Sequence, residues 1–247
     1  MRYEWETLAT GVHRCRLPFL DVTVGLVAGR SRVLLIDCGT TLTEAAGVAA
    51  DALKLTGRDV TDIVMTHHHF DHVLGSAGFP DAVLYASEPV ARVLADDTGW
   101  LRSEAARYGA DGVDVDAAIG LLRVPDHVVT HTRIDLGGTV VTIDHPGRGH
   151  TDHDLAVLVP PVEPGDRPVV FCGDLVEESA DPAIDAGSDL ASWPDAVGRL
   201  LELGGPDARY VPGHGAVVGA QFLIQQRDWL VLQRVAQADD PRRADQR

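Results

Sequence analysis

The run Thr66-His67-His68-His69-Phe70-Asp71-His72 crowds imidazoles and a carboxylate into one short segment. Neutral imidazole and carboxylate are the nitrogen and oxygen ligands that divalent first-row ions take, so the chemistry this run points to is metal-assisted. In an extended segment, residues two apart point the same way: His67 and His69 present their rings on one side, and His68 points away. Asp71 and His72 are adjacent and cannot both reach an ion shared by His67 and His69 without strain. A helical turn beginning there would feed them into a second position nearby. The spacing therefore predicts two metals rather than one. His150, Asp174 and His214 extend the set, each beside a glycine that lets the backbone turn tightly, and each expected just past the end of a strand.

The elements that must position these residues follow from hydrophobic pattern and punctuation. Short β-like runs are expected at 22–28 and 32–36, the latter stopped by Asp37-Cys38-Gly39. A helix capped by Thr41 or Thr43 should run to Leu55, with Gly57 ending it. A buried strand over 60–66 leads directly into the histidine run. Another strand is expected at 82–86, then a helix opened by Ser87-Glu88-Pro89 and reaching about Leu94. Residues 96–126 read as a mobile or helical excursion. Strands return at 128–129, 139–143, 155–159, 169–172 and 209–211. Helices are expected at 192–203, with Ser192 as cap, and at 217–236, before a frayed polar tail at 239–247. Strands delivering ligand-type residues at their carboxyl ends fit a layered α/β architecture, in which sites collect there. With neither an internal repeat nor a low-complexity linker in the pattern, one domain over 1–247 is expected.

Composition removes several classes of function. The chain has 247 residues, 45% hydrophobic and 23% charged, with 21 Lys+Arg against 37 Asp+Glu and a formal net charge of −16. That balance repels a phosphate backbone or an anionic membrane over most of the surface, so neither nucleic acid nor membrane is an expected partner. Residues 1–10 show no basic-then-apolar leader, and no apolar run reaches the roughly 18 residues a membrane span needs; the expected location is the cytoplasm. Cys15, Cys38 and Cys172 form no CxxC pair and read as reduced, buried thiols.

Taken together, these motifs resemble the metallo-β-lactamase-fold hydrolases. The resemblance rests on His-x-His-x-Asp-His at His67, His69, Asp71 and His72, on Gly-His-Thr around His150, Gly-Asp around Asp174, and Pro-Gly-His-Gly around His214, in order from the Leu35-to-Gly39 strand end to Gly215. It implies a four-layer αβ/βα sandwich with the metal site on one edge of two packed sheets. It also implies that His67, His69 and His150 hold one ion, that Asp71, His72 and His214 hold the other, and that Asp174 bridges both. Asp37 resembles the carboxylate that such proteins place beside the site to orient a ligand imidazole. One departure stands out. Many relatives carry Pro-Gly-His-Thr directly, whereas Arg148-Gly149 here separates Pro146-Gly147 from His150-Thr151, which changes the shape and charge expected of the adjoining pocket.

The function expected is a binuclear metal-dependent hydrolase, with zinc as the first choice of ion and iron or manganese as alternatives. Metal-bound hydroxide would attack an ester, thioester or lactone bond of a small molecule, with Asp71 and Asp174 as the catalytic carboxylates. Only 215–247 follows His214, which disfavours a glyoxalase-II-like thioesterase, and the missing leader disfavours an exported β-lactamase. Leu175-Val176-Glu177-Glu178 after Asp174 lacks the tyrosine of quorum-signal lactonases. The alternatives are an iron-dependent oxidoreductase similar to persulfide dioxygenases, or a phosphodiesterase. His68, His145 and His153 read as surface residues or neighbours of ligands, and His13, His127 and His131 carry no pattern. Arg148 reads as solvated or ion-paired, with binding of a substrate anion as the other possibility. Trp100 and Tyr108 read as a local hydrophobic cluster, with a cover over the substrate as the other possibility.

Overall fold

The fold is described from a computed structural model covering residues 1–238; the expected frayed tail at 239–247 lies outside the described residues. The chain opens with β1 (Trp5–Ala9) and β2 (Val12–Arg16), a hairpin turned at Gly11, where φ is 72°. Neither strand is expected from the pattern, because β1 is largely exposed and lacks a clean apolar alternation. Then come β3 (Thr23–Ala28) and β4 (Val33–Ile36), close to expectation.

Helix α1 (Leu42–Thr56) is specified by its ends. Thr41 Oγ1 accepts the Glu44 N–H at 3.1 Å while Glu44 Oε2 accepts the Thr41 N–H at 3.1 Å, so each residue satisfies an otherwise orphaned donor of the first turn. Gly57 closes the helix in the left-handed region at φ 70°. Strand β5 (Asp62–Val64) is shorter than expected and releases the chain into the histidine run. A single helical turn, α2 (Phe70–Val73), carries Asp71 and His72. After a 3₁₀ turn (Leu74–Gly78) comes β6 (Val83–Ala86), then α3 (Glu88–Asp96), α4 (Thr98–Arg107) and α5 (Gly112–Ile119). The 96–126 excursion is thus helical. Strand β7 (His127–Val128) completes the first sheet.

The second sheet is built from β8 (His131–Asp135), β9 (Val140–Asp144), β10 (Ala156–Val159), β11 (Val169–Glu177) and β12 (Arg209–His214), with α6 (Trp193–Gly204) before β12 and α7 (Ala220–Ala238) after it. Strands β11 and β12 correct the sequence reading. Both outrun their expected ends, so Asp174 lies inside a strand and His214 is the last residue of one. Gly173-Asp174 reads locally as a stop, but parallel pairing carries on past an irregularity: Phe171 opposes Val211, Gly173 opposes Pro212, and Glu177 opposes His214. Gly173 absorbs the irregularity at φ 52°, a region that favours glycine.

The first sheet has the order β1-β2-β3-β4-β5-β6-β7, antiparallel to β4 and parallel from there; the second has the order β12-β11-β10-β9-β8. Period-two alternation explains how they stack. Leu34 and Ile36 of β4 join Phe171 of β11 and Val211 of β12 between the sheets, while Val33 and Leu35 pack outward on Ala45 and Val48 of α1. On the far side, Val170 and Cys172 of β11 pack against Trp193, Val197 and Leu200 of α6 and Leu223 and Leu230 of α7. Helices, sheet, sheet and helices form the four-layer αβ/βα sandwich. Cys15, Cys38 and Cys172 are free and buried. No described helix is long and apolar enough to cross a membrane.

Candidate metal centre

The histidine run, the loop after β9, the Gly173-Asp174 irregularity within β11 and the end of β12 meet at one edge of the sandwich. There the structure brings together all seven candidate residues, in two groups. His67, His69, His150 and Asp174 form one, and Asp71, His72 and His214 the other; within each, one potential ligand atom per residue lies within 4.8 Å of the rest. Asp174 faces both groups. Its Oδ2 is 3.6 Å from His67 Nε2, 3.5 Å from His150 Nε2 and 3.4 Å from His214 Nε2, and its Oδ1 is 3.2 Å from His72 Nε2. Gly213 permits this approach, because a Cβ there would run into Asp174 Oδ1. Asp71 Oδ2 lies 3.6 Å from His214 Nε2 and 3.7 Å from His72 Nε2.

The outer nitrogens explain the ring orientations. His72 Nδ1 donates to Asp37 Oδ2 at 2.8 Å, and His214 Nδ1 donates to the Leu20 carbonyl at 2.8 Å. His150 Nδ1 donates to the Ala183 carbonyl at 3.3 Å. Thr66 Oγ1 donates to Asp37 Oδ2 at 2.9 Å, which leaves its oxygen to accept from His67 Nδ1 at 3.0 Å. With its outer nitrogen carrying the proton, each neutral ring turns a lone pair inward. His69 is reversed: its Nδ1 faces inward, 3.1 Å from His67 Nε2 and 2.9 Å from His150 Nε2, and its Nε2 faces Asp185 at 4.0 Å.

The inward nitrogens converge on a buried carboxylate, which draws positive charge toward them. Asp174 Oδ1 is buried without a hydrogen-bond partner despite its nearness to His72 Nε2. Burial disfavours the charged forms of His67 and His69 and holds both well below the ordinary histidine range. Burial acts on His72 and His214 too, but the carboxylates, Asp174 foremost, outweigh it, raising His72 well above that range and His214 to about 9. Asp174 is held well below the usual carboxylate range, against its burial, by His72, His214 and His67. The donor set therefore fits cations, and its chemistry, imidazole nitrogen with carboxylate oxygen, suits divalent first-row ions.

Several supporting groups escape sequence reasoning. The Leu20 and Ala183 carbonyls have no side-chain signature, and Leu20 adopts φ 55°, which its residue type does not advertise. Asp154 accepts Thr151 N–H and Oγ1–H at 2.8 Å each, bracing the turn that carries His150; burial pushes its carboxyl up to about 6. The Thr151-x-x-Asp154 spacing is the signal that could have found it. Asp37 does orient a candidate ligand imidazole, as expected from the resemblance. Arg148 is ion-paired with Asp189 at 3.0 Å. Trp100 stacks on His68 rather than packing among aliphatic residues alone.

A family model described as the metallo-beta-lactamase superfamily matches residues 17–214. Two curated relatives named metallo-beta-lactamase type 2, from Bacillus sp. (strain 170) and Bacillus cereus, are each 24% identical over 174 residues, which is 69% of this chain. The match spans 58% of the length of those relatives. Among solved structures, a metallo-beta-lactamase from Pontibacter korlensis superposes with a TM-score of 0.67 at 22% identity, covering 92% of this chain and 98% of its own. One from Hirschia baltica gives 0.67 at 18% identity, covering 92% and 97%. At these identities the structural likeness speaks for the fold.

Proposed function

This chain belongs to the metallo-beta-lactamase superfamily, and from that premise we propose that it is a binuclear metal-dependent hydrolase of a small-molecule ester, thioester or lactone. The observation that carries the reading is the position of Asp174, whose two oxygens face both groups of imidazoles. His67, His69 and His150 would hold one divalent ion, zinc first, and Asp71, His72 and His214 a second, with Asp174 between them. Bound there, the ions would supply Lewis acidity toward the substrate oxygen and make a water acidic enough to act as nucleophile near neutral pH.

The chain's own groups do the rest. Asp37, Thr66, Leu20 and Ala183 fix the ring orientations before any substrate arrives, so little reorganisation is left for the reaction. The Asp71 carboxylate, beside His72 and His214, would take up or pass on the proton of the attacking water. A cysteine nucleophile is disfavoured: burial pushes the thiols of Cys15, Cys38 and Cys172 up, keeping them protonated.

The test is hydrolysis of 4-nitrophenyl acetate and of an acyl thioester under anaerobic conditions, with benzylpenicillin as the contrasting substrate suggested by the names of the Bacillus relatives. Turnover of the ester or thioester that disappears with chelation and returns with zinc supports the reading. Oxygen-dependent turnover of a persulfide that tracks iron content, with no anaerobic hydrolysis, overturns it.

A further inference from the structure

Beside the metal centre opens a cavity of about 860 Å³, bordered among others by His68, His69, Trp100 and His153. Its size suits a small organic molecule. Trp100 belongs to the first turn of α4, where Asp97 Oδ1 accepts its backbone N–H at 3.2 Å. The indole lies nearly parallel on His68, with centroids 4.8 Å apart and planes at 13°, and is 6.0 Å from the His69 ring. His153 meets His68 edge-on at 4.5 Å and is itself tied through Nδ1 to Asp152 Oδ1 at 2.8 Å. His68, which the alternation turns away from the metal centre, thus serves as the base on which the indole rests. The result is a wall of rings that begins at His69 and leads away from the centre along the cavity.

The arginines on the rim are already matched. Arg92 faces Glu88 at 2.8 Å, Arg148 faces Asp189 at 3.0 Å, and Arg107 faces Glu104 at 3.6 Å. Among the described residues lining the cavity, each arginine therefore has a carboxylate partner, and Asp96 and Asp97 add negative charge beside Trp100. An anionic tail would meet repulsion or have to break an existing pair. The half-buried indole offers apolar area and a π-face instead.

We propose that Trp100 is a specificity-determining residue of this site, stacking a planar, uncharged group of the substrate whose carbonyl reaches the metal centre. The proposal rests on the hydrolase reading above and narrows its substrate class to acyl compounds with a flat apolar portion. The probe is 2-naphthylacetate, whose carboxylate can meet the centre while its rings meet the wall; acetate is the ring-free control and succinate the anionic-tail control. Their binding to the zinc-loaded full chain is measured by titration calorimetry, with zinc content recorded for each protein.

The wild type is expected to bind 2-naphthylacetate at least about 10-fold more tightly than acetate or succinate. Trp100→Ala should remove most of that margin and Trp100→Phe should keep most of it, with acetate affinity and zinc content unchanged in both. An unchanged margin in Trp100→Ala, or succinate preferred over 2-naphthylacetate in the wild type, overturns the proposal. Ester turnover is read separately. A chain that shows the Trp100-dependent margin but hydrolyses nothing keeps the ring-binding wall and loses the hydrolase reading, and a chain that hydrolyses esters without the margin does the reverse.

Discussion

The carboxylate of Asp37 lies 2.8 Å from His72 Nδ1 and is held on its other side by Thr66, whose N–H reaches Asp37 Oδ1 at 2.8 Å. Asp37 sits at the end of β4 with φ 58°, a backbone conformation that costs free energy in any residue but glycine and is tolerated best by Asp and Asn. One strained residue thereby fixes the tautomer of His72 and the start of the histidine run together.

Replacing this carboxylate separates the two halves of the centre. Asp37→Asn tolerates the same backbone but offers a weaker, uncharged acceptor, and loss of such a partner typically costs 10–100-fold in metal affinity. Competition with a zinc chelator should show that loss for the ion held through His72, with the ion at His67, His69 and His150 much less affected. Equal weakening of both ions would show that Asp37 does not act through His72.

Removing metal should destabilise the fold, because ions that bind only the folded chain stabilise it by mass action, by about 4 kcal/mol at a thousandfold excess over Kd. Thermal unfolding after chelation is expected to occur at a lower Tm, and zinc should restore it while magnesium, a poor match for imidazole, should not. An unchanged Tm across chelation and zinc addition would mean that the cluster holds no ion tightly.

Gly149 offers a test from packing. A Cβ there would run into Leu175 and the indole of Trp193, which is fully buried and donates to the Leu175 carbonyl at 3.0 Å. Gly149→Ala must displace the turn that carries His150 or push the Leu175 and Trp193 side chains aside, and overpacking of this kind costs about 1–3 kcal/mol. The expected outcome is a lower Tm together with weaker zinc retention. A fall in Tm with zinc retention untouched would show that Leu175 and Trp193 yield and the His150 turn does not.

How far the sequence reveals this arrangement depends on what kind of atom does the work. The candidate ligands are legible because they are side chains of distinctive type, the histidine run at tell-tale spacing and His150, Asp174 and His214 grouped with it through the family resemblance, and α1 is legible because Thr41, Glu44 and Gly57 mark its ends. Strand β1 is not, since an exposed edge strand draws its stability from hairpin pairing rather than from alternating apolar residues, and β2, mostly buried between β1 and β3, hides its pattern behind His13, Arg14 and Arg16. The true length of β11 is hidden as well: Gly173-Asp174 reads as a turn until the parallel partner β12 is in place to continue the pairing. The carbonyls of Leu20 and Ala183, which orient His214 and His150, belong to backbone that any residue could supply.

Away from the centre, Asp51 should contribute a pH-dependent part of the stability. Its carboxylate accepts the backbone N–H groups of Arg2 and Tyr3 at 2.7 to 2.8 Å and the Trp5 indole at 3.2 Å, tying the N-terminal segment to α1. Burial works to raise its pKa, but these donors outweigh it and hold the carboxyl below the usual range. A folded pKa below the unfolded value, about 3.9, means that this stability is fully present above pH 4 and is lost as pH falls through the folded pKa. The difference in unfolding free energy between wild type and Asp51→Asn should be constant from about pH 7 to 5 and shrink below about pH 4. A difference that grows on acidification would reverse the sign.

The most direct measurement of the central claim is a zinc-soaked crystal structure with anomalous data collected at the zinc edge. Two peaks per chain are predicted, one among His67, His69 and His150 and one among Asp71, His72 and His214, with Asp174 in contact with both. A single peak at full occupancy under excess zinc, with His72 and His214 turned away from it, would contradict the binuclear account.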